Sequence, residues 1–262
     1  MFSLLKLLPR CGRSPLWLQR SPITFKIRGF SSVPDLSLKI GQVHIQTPFH
    51  IDRLHRPQTQ VKQVDGYPIY TIDQFLTPPE CQTICQQAER IGFEPATVDR
   101  HTIRENQDSI DTQTTIMLTK IRNNLRLIFE NSQLAQDLQQ RLIACQFPAL
   151  DRVPADHSPL LWTSVNSRMK IYHYAEDQYF RPHRDGIYVN IHTKEQSRFT
   201  FMIYLNDDYQ DGGTQFHLNE GKYVITPQQG RAVIFYHNLK HEGLPITRGR
   251  KLVLRSDLMF LI

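Results

Sequence analysis

From about Arg168 onward the chain is cut into segments of four to ten residues with strand patterning, at 168–174, 178–182, 198–206, 214–217, 222–225, 231–236 and 251–260. Turn residues separate them, most clearly Asp211-Gly212-Gly213 and Pro227-Gln228-Gln229-Gly230. Upstream, the pattern is helical. Many short strands after a helical half imply an α+β, mainly β fold: a sandwich or jelly roll buttressed by N-terminal helices.

The helical half carries its own start and stop signals. Ile69 to Phe75 reads as a strand entered through Pro68, and Ile40 to Ile45 as a shorter one. Thr77-Pro78-Pro79-Glu80 then combines an N-cap, a proline at the first helical position and a glutamate at the third. Ile84, Ala88 and Ile91 continue at helical spacing until Gly92 ends the run. A polar loop over 98–112 precedes two further helical stretches, near 114–130 and 132–144. The expected organisation is an N-terminal segment at 1–34, an irregular region at 35–66, and one domain over 67–262. That domain divides into helical support at 77–150 and a jelly-roll core at 166–262. No apolar run is long enough to cross a membrane as a helix.

The net charge of +6 has a local origin. Residues 1–34 hold Lys6, Arg10, Arg13, Arg20, Lys26 and Arg28 and no acid, so the other 25 basic residues balance 25 acidic ones. A neutral remainder lacks the basic surface that nucleic acid requires. The leader is basic, serine-containing and acid-free, with Arg28-Gly29-Phe30-Ser31-Ser32 resembling a processing site. Arg10 and Arg13 break any secretory apolar core, so a mitochondrial (matrix) destination is expected, and otherwise a cytoplasmic one. Outside the leader, which holds Cys11, the cysteines are Cys81, Cys85 and Cys145. Cys81 and Cys85 share a helix face without a second ligand pair, which suits buried thiols in a reducing compartment.

One constellation carries chemistry. His183 and Asp185 flank Arg184 and precede Gly186; His241 follows His183 by 58 residues, and Lys251 follows His241 by ten. In extended backbone, residues two apart share a side, so His183 and Asp185 reach one point while Arg184 turns away. Two imidazoles and a carboxylate occupy one face of an octahedron around ferrous iron and leave the opposite face open. With 11 histidines in the chain the pair alone is weak, and His217 and His237 compete with His241 for the third position.

The wider context resembles the iron(II)- and 2-oxoglutarate-dependent dioxygenases of the prolyl 4-hydroxylase type. The matching features run in order: Tyr172-His-Tyr174, Gln178-Tyr-Phe180-Arg-Pro-His183-Arg-Asp185-Gly186, Tyr204-Leu205-Asn206, Gly212-Gly213-Thr214-Gln-Phe216 and His241-Glu-Gly-Leu-Pro245. The likeness covers roughly 68–260 and is strongest after 166. It implies a double-stranded β-helix with Fe(II) held by His183, Asp185 and His241. It also implies 2-oxoglutarate and O2 as cosubstrates, and ascorbate as reductant. A Lys or Arg on the strand after the distal histidine would meet the 5-carboxylate. Lys251, Val253 and Arg255 share a strand face, but Arg255 lies roughly 13 Å further along, so Lys251 is favoured over Arg255. By the same resemblance Tyr174, Thr200 and Tyr204 point into the pocket.

The implied reaction is hydroxylation of an unactivated C–H bond, with 2-oxoglutarate converted to succinate and CO2. The substrate is a prolyl or other residue of a protein or peptide, or a small molecule. Asp185 matters here, because relatives that halogenate carry a small residue at that position. A metal-binding jelly roll without oxygenase activity is the main alternative, and intact ligands together with Lys251 argue against it. A zinc hydrolase would need a nearby general base. No HExxH is present, and Glu242 points away by strand alternation. The segments 98–112 and Ile187 to Ser197 are candidate substrate contacts.

Overall fold

The computed structural model describes residues 49–261, apart from 50, 54, 56, 58, 97–119, 149, 151, 155 and 156. The leader at 1–34, the strand at 40–45, the polar loop at 98–112 and the start of the helix at 114–130 lie outside the described residues. In chain order the elements begin with β1 (Lys62–Gln63), β2 (Ile69–Ile72), α1 (Pro78–Ile91), β3 (Glu94–Pro95), β4 (Leu125–Glu130) and α2 (Ser132–Ala144). They continue with β5 (Leu161–Val165), β6 (Arg168–Tyr174), β7 (Phe180–His183), β8 (Gln196–Tyr204), β9 (Gln210–Asp211) and β10 (Thr214–Leu218). The chain closes with β11 (Gly221–Ile225), β12 (Ala232–Tyr236), β13 (His241–Gly243), β14 (Ile246–Arg248) and β15 (Lys251–Leu261).

Two antiparallel sheets face each other. The larger runs β1-β2-β12-β8-β15-β6-β4-β3, with β5 joined to the far end of β15; the smaller runs β11-β10-β13-β7. The fold is the double-stranded β-helix expected from the sequence. Period-two alternation sorts side chains between two cores. On β8, β12 and β15 the residues Phe201, Ile203, Ile234, Leu252 and Leu254 face the helices and join the large core. Their neighbours Met202, Tyr204, Val233, Phe235 and Val253 face the smaller sheet and pack with Phe216.

Helix α1 begins as its sequence dictates. Thr77 caps it, the Glu80 carboxylate accepts the Thr77 N–H at 2.7 Å, and the Gly92 N–H closes the last turn onto Ala88. Helix α2 is capped by Asn131, whose side chain accepts the Leu134 N–H at 2.8 Å. The strand read as 69–75 ends at Ile72, because Gln74 takes a left-handed conformation (φ 53°) that turns the chain toward the cap.

The helix expected near 114–130 is corrected at its C-terminal end. Residues 125–130 are β4, paired through six residues with β6. Leu127 and Phe129 enter the large core, while Arg126 and Ile128 take the opposite face. Apolar residues at helical and strand spacing coexist in Leu125-Arg-Leu-Ile-Phe-Glu130, and the open edge of β6 decides for the strand. The segments 161–165, 241–243 and 246–248 are strands that sequence patterning did not single out. The two latter are three residues each, too short for alternation to register.

A buried ion pair ties the helices to the N-terminal segment. The Arg141 guanidinium on α2 donates to both Glu80 carboxylate oxygens at 2.9 and 2.8 Å, and to the Phe75 carbonyl at 2.9 Å. The same carboxylate accepts the Asp52 N–H at 2.6 Å. Burial pushes the Glu80 pKa up, but hydrogen bonds from Arg141 and Thr77 outweigh it and leave the group ionised. Removing one partner strands the other charge in the core. Arg141→Met is expected to cost about 3–5 kcal/mol in urea unfolding. Adding Glu80→Gln to Arg141→Met should recover part of that loss.

Candidate metal and anion site

His183 ends β7, Asp185 lies two residues beyond it, and His241 opens β13 directly across, with His183 and His241 in register. Their ligand atoms all lie within 4.8 Å of one another, and this is the only such cluster of His, Cys, Asp and Glu among the described residues. Each histidine has its tautomer fixed from behind. His183 Nδ1 is 2.8 Å from the Arg181 carbonyl, and His241 Nδ1 is 2.9 Å from the Leu239 carbonyl. A carbonyl only accepts, so Nδ1 carries the proton and Nε2 presents its lone pair inward. Burial lowers the His241 pKa to about 4, against the raising effect of Asp185, so the ring stays neutral near pH 7.

Asp185 is oriented just as firmly. Its backbone N–H donates to the His237 carbonyl at 3.1 Å. Its Oδ2 accepts from the Thr200 hydroxyl and from Arg255 Nη2, the latter at 3.2 Å. Oδ1 lies 3.7 Å from His183 Nε2 and Oδ2 lies 3.7 Å from His241 Nε2, so the carboxylate faces both imidazoles, with Oδ1 the less engaged oxygen. Arg255 also reaches Asp257 Oδ1 at 3.2 Å, and Asp257 holds His237 Nε2 at 3.3 Å. Burial would raise the Asp185 pKa, but the Arg255 guanidinium and then His241 hold it well below the usual carboxylate range. His237, the rival for third ligand, therefore positions Asp185 through its carbonyl. His217, the other rival, bonds Glu242 at 2.9 Å.

The inner cavity, about 50 Å³, lies between the sheets, with the triad at its outer end and Lys251 at its inner end. Lys251 is 2 % exposed, and its ammonium donates to the Gly212 carbonyl. No carboxylate pairs with it among the described residues, and burial lowers its pKa to about 7. A cation buried without an anion costs free energy unless it loses its proton or gains a partner. Thr214 lines the same cavity and bonds the Tyr204 hydroxyl at 2.6 Å; Tyr174 lines it from β6. Gly212 fits here because its backbone is left-handed (φ 69°) and an added Cβ would fall 2.4 Å from Ile246 Cγ2. Two inward-facing imidazole nitrogens, a carboxylate and an ammonium without a carboxylate partner among the described residues suit a divalent metal and a small dicarboxylic acid.

Strand alternation places Lys251, Val253 and Arg255 on the cavity wall, as read from sequence. Arg250 faces away and bonds Glu89 on α1 at 2.6 Å. Arg255 and Thr200 sit at the Asp185 end, and Tyr174 and Lys251 at the other. Tyr204 reaches the cavity through Thr214. Sequence reasoning quoted Thr214 and Phe180 only as motif residues and gave them no role in the site. Thr214 was within reach, since it shares the Gly212-Gly213-Thr214 turn with the carbonyl that Lys251 uses. Phe180 stacks on the His183 ring at 3.5 Å between centroids and 16° between planes.

A second, open cleft adjoins the inner cavity and shares Tyr172, Phe180, His183, Asp185 and Arg255 with it. Burial acts to raise the Tyr172 pKa, but Lys170, Arg255 and Arg122 outweigh it and lower the phenol to about 8. The segment Ile187 to Ser197 borders this cleft as a turn, anchored by Tyr188 N–H on the Ser197 hydroxyl at 2.8 Å.

Residues 169–256 match the model of the 2OG-Fe(II) oxygenase superfamily. A provisionally named prolyl 4-hydroxylase of Acanthamoeba polyphaga mimivirus is 25% identical over 203 residues, 70% of either chain. Prolyl 4-hydroxylase 1 of Arabidopsis thaliana is 24% identical over 181 residues, 64% of this chain and 57% of that one. Among solved structures, the fold matches a Pseudomonas putida prolyl-4-hydroxylase with a TM-score of 0.50 and 17% identity, over 74% of this chain and 93% of that one. It also matches a Trichoplax adhaerens prolyl hydroxylase, solved with a hypoxia inducible factor peptide fragment. There the TM-score is 0.51 with 16% identity, over 75% and 85% of the two chains. The jelly roll at 169–256 is a domain of the 2OG-Fe(II) oxygenase superfamily, in a chain that is prolyl 4-hydroxylase-like.

Proposed function

We propose that the protein is an Fe(II)- and 2-oxoglutarate-dependent hydroxylase that acts on a C–H bond of a peptide or protein residue and releases succinate and CO2. The observation that carries this reading is Lys251: a buried ammonium without an anion, in the same small cavity as a two-histidine, one-carboxylate cluster. A hydrolytic or purely structural metal site has no use for that ammonium. A peptide substrate is supported by the open outer cleft, and by the Trichoplax relative of like fold that was solved with a peptide.

Each residue then has a defined task. His183, Asp185 and His241 would hold the metal, with Thr200 and Arg255 keeping Asp185 in place. Lys251 and Thr214 would take the 5-carboxylate, with Tyr174 lining the cavity beside them. Met202, Phe235 and Val253 keep its wall apolar, which strengthens every charge contact inside. Iron and 2-oxoglutarate, once bound, supply the oxidising chemistry, and the protein supplies geometry and a dry site. A mitochondrial destination, proposed on the composition of residues 1–34, is consistent with access to 2-oxoglutarate.

Two outcomes test this. With ferrous iron and ascorbate present, the full chain should consume 2-oxoglutarate slowly even without substrate. Chelation should stop the reaction and ferrous iron restore it. Asp185→Ala should abolish it, whereas Lys251→Met should raise KM for 2-oxoglutarate far more than it lowers kcat. Protein that is folded and iron-loaded yet never consumes 2-oxoglutarate would sink the proposal.

The second concerns protons. The folded pKa of Lys251, about 7, lies below its unfolded value, so the unliganded protein gains stability as pH rises from 7 toward 10. A bound dicarboxylate restores the charge. Calorimetry of 2-oxoglutarate binding to the manganese-loaded chain at pH 8, in buffers of different ionisation enthalpy, should show uptake of about one proton. Lys251→Met should lose that uptake. Affinity should weaken as pH climbs above 7.

A further inference from the structure

The outer cleft is lined by Arg122, Arg168, Lys170 and Arg184, besides Arg255. The acids on its wall are Asp185 and Asp257, and Arg255 bonds both. Arg122 and Arg168 therefore face the cleft without a carboxylate from its own lining.

Arg122 is the most telling. It is 6 % exposed, and its guanidinium lies 4.1 Å over the Phe180 ring and 4.8 Å over the Tyr172 ring. Phe180 in turn stacks on His183. Its Nε donates to Asn124 at 3.1 Å, but the buried Nη2 has no hydrogen-bond partner among the described residues. The Nε of Arg168 is likewise buried and unpartnered, although Glu130 lies directly across from it on β4. Arg198 also leaves a buried Nε without a partner among the described residues, but Arg122 and Arg168 are the two that line the cleft beside the metal ligands, where a bound group can complete them.

We propose that this cleft is an anion-recognition subsite. It selects peptides that carry an acidic side chain close to the residue presented to the metal, with Arg122 and Arg168 as the receiving groups. The inference rests on the reading of the inner cavity as the reaction centre and adds the class of substrate.

Geometry sets the spacing. Arg168, Lys170, Tyr172 and Tyr174 alternate onto one face of β6, and Tyr172 lines both cavities. Arg168 is four residues from Tyr172, roughly 13 Å along the strand at about 3.3 Å per residue. An extended peptide covers that distance in about four residues, and the nearer Arg122 in fewer. The cleft is open and its rim carries exposed Ile187 and Val189, which suits the apolar and carboxylate surfaces of an acidic peptide. A nucleic-acid strand would need a longer basic track than this.

The test uses the full chain, with and without manganese and 2-oxoglutarate. A fluorescein-labelled peptide of alternating proline and glutamate is compared, by anisotropy, with counterparts carrying glutamine or lysine in place of glutamate. The glutamate peptide should bind about tenfold or more tightly than the glutamine one, as charge-assisted pairing predicts. Arg168→Glu, at the half-buried end of the cleft, should remove that preference and favour the lysine peptide. Arg122→Gln should reduce it, and Arg168→Glu keeps the test decisive if Arg122→Gln fails to fold. Equal binding of the glutamate and glutamine peptides, or unchanged preference in Arg168→Glu, overturns the proposal. So does an oligothymidylate that binds more tightly and displaces the glutamate peptide. The two readings fail separately. Uncoupled 2-oxoglutarate consumption without charge preference removes the subsite alone, while charge-selective binding without consumption removes the hydroxylase reading alone.

Discussion

The alternation of side chains along β15 is the constraint on which the rest depends. This strand pairs with β8 on one side and β6 on the other, so it cannot shift without breaking both ladders. Its register sends Leu252, Leu254 and Leu258 into the helix-covered core, and Lys251, Val253 and Arg255 into the space between the sheets. A one-residue slip would exchange the two sets and bury leucines where the charges now stand. The helices α1 and α2, tied by Arg141 and Glu80, press on the outer face of the same sheet and hold that register in place.

Register then separates tasks by distance. Lys251 is paired with Tyr174, Val253 with Tyr172, and Arg255 with Lys170 across the β15–β6 ladder. Each step of two residues moves roughly 7 Å from the closed end of the cavity toward its mouth. The closed end holds a single cation for an acid, the middle is apolar, and the mouth holds the guanidinium that steadies Asp185. One pair of strands lays out the cosubstrate end, the dry middle and the metal end in order.

Much of this was legible in the sequence because it is periodic or local. The capping box at Thr77, the Lys251–Arg255 alternation and the His183–Asp185 pair involve neighbours whose relation follows from backbone geometry alone. The parts that were not legible depend on contacts between distant segments. Residues 125–130 satisfy more than one period, and only the presence of β6 as a partner makes them a strand. Arg141 reads as a surface residue of α2 until Glu80, 61 positions away, is seen beside it. Arg255 looked like a second candidate for the cosubstrate acid, since strand alternation puts it on the right face. What places it at the metal end is a tertiary fact: Asp185 and Asp257 already hold it.

The arrangement around Asp185 also has an energetic logic. A carboxylate this buried needs a positive partner before any metal arrives, or it would take up a proton and cease to be a ligand. Arg255 fills that role through Oδ2, with the Thr200 hydroxyl beside it, and leaves Oδ1 open. Asp257 offsets the charge that Arg255 brings, and His237 bonds Asp257 in turn. The triad is therefore preorganised by a chain of pairs that reaches from the cavity wall to the protein interior. Its cost is competition, because the guanidinium that keeps Asp185 ionised also opposes a divalent cation nearby. The balance favours a site that is formed and ionised in advance, in which the carbonyls of Arg181 and Leu239 orient the two imidazoles and burial keeps His241 from adding a positive charge of its own.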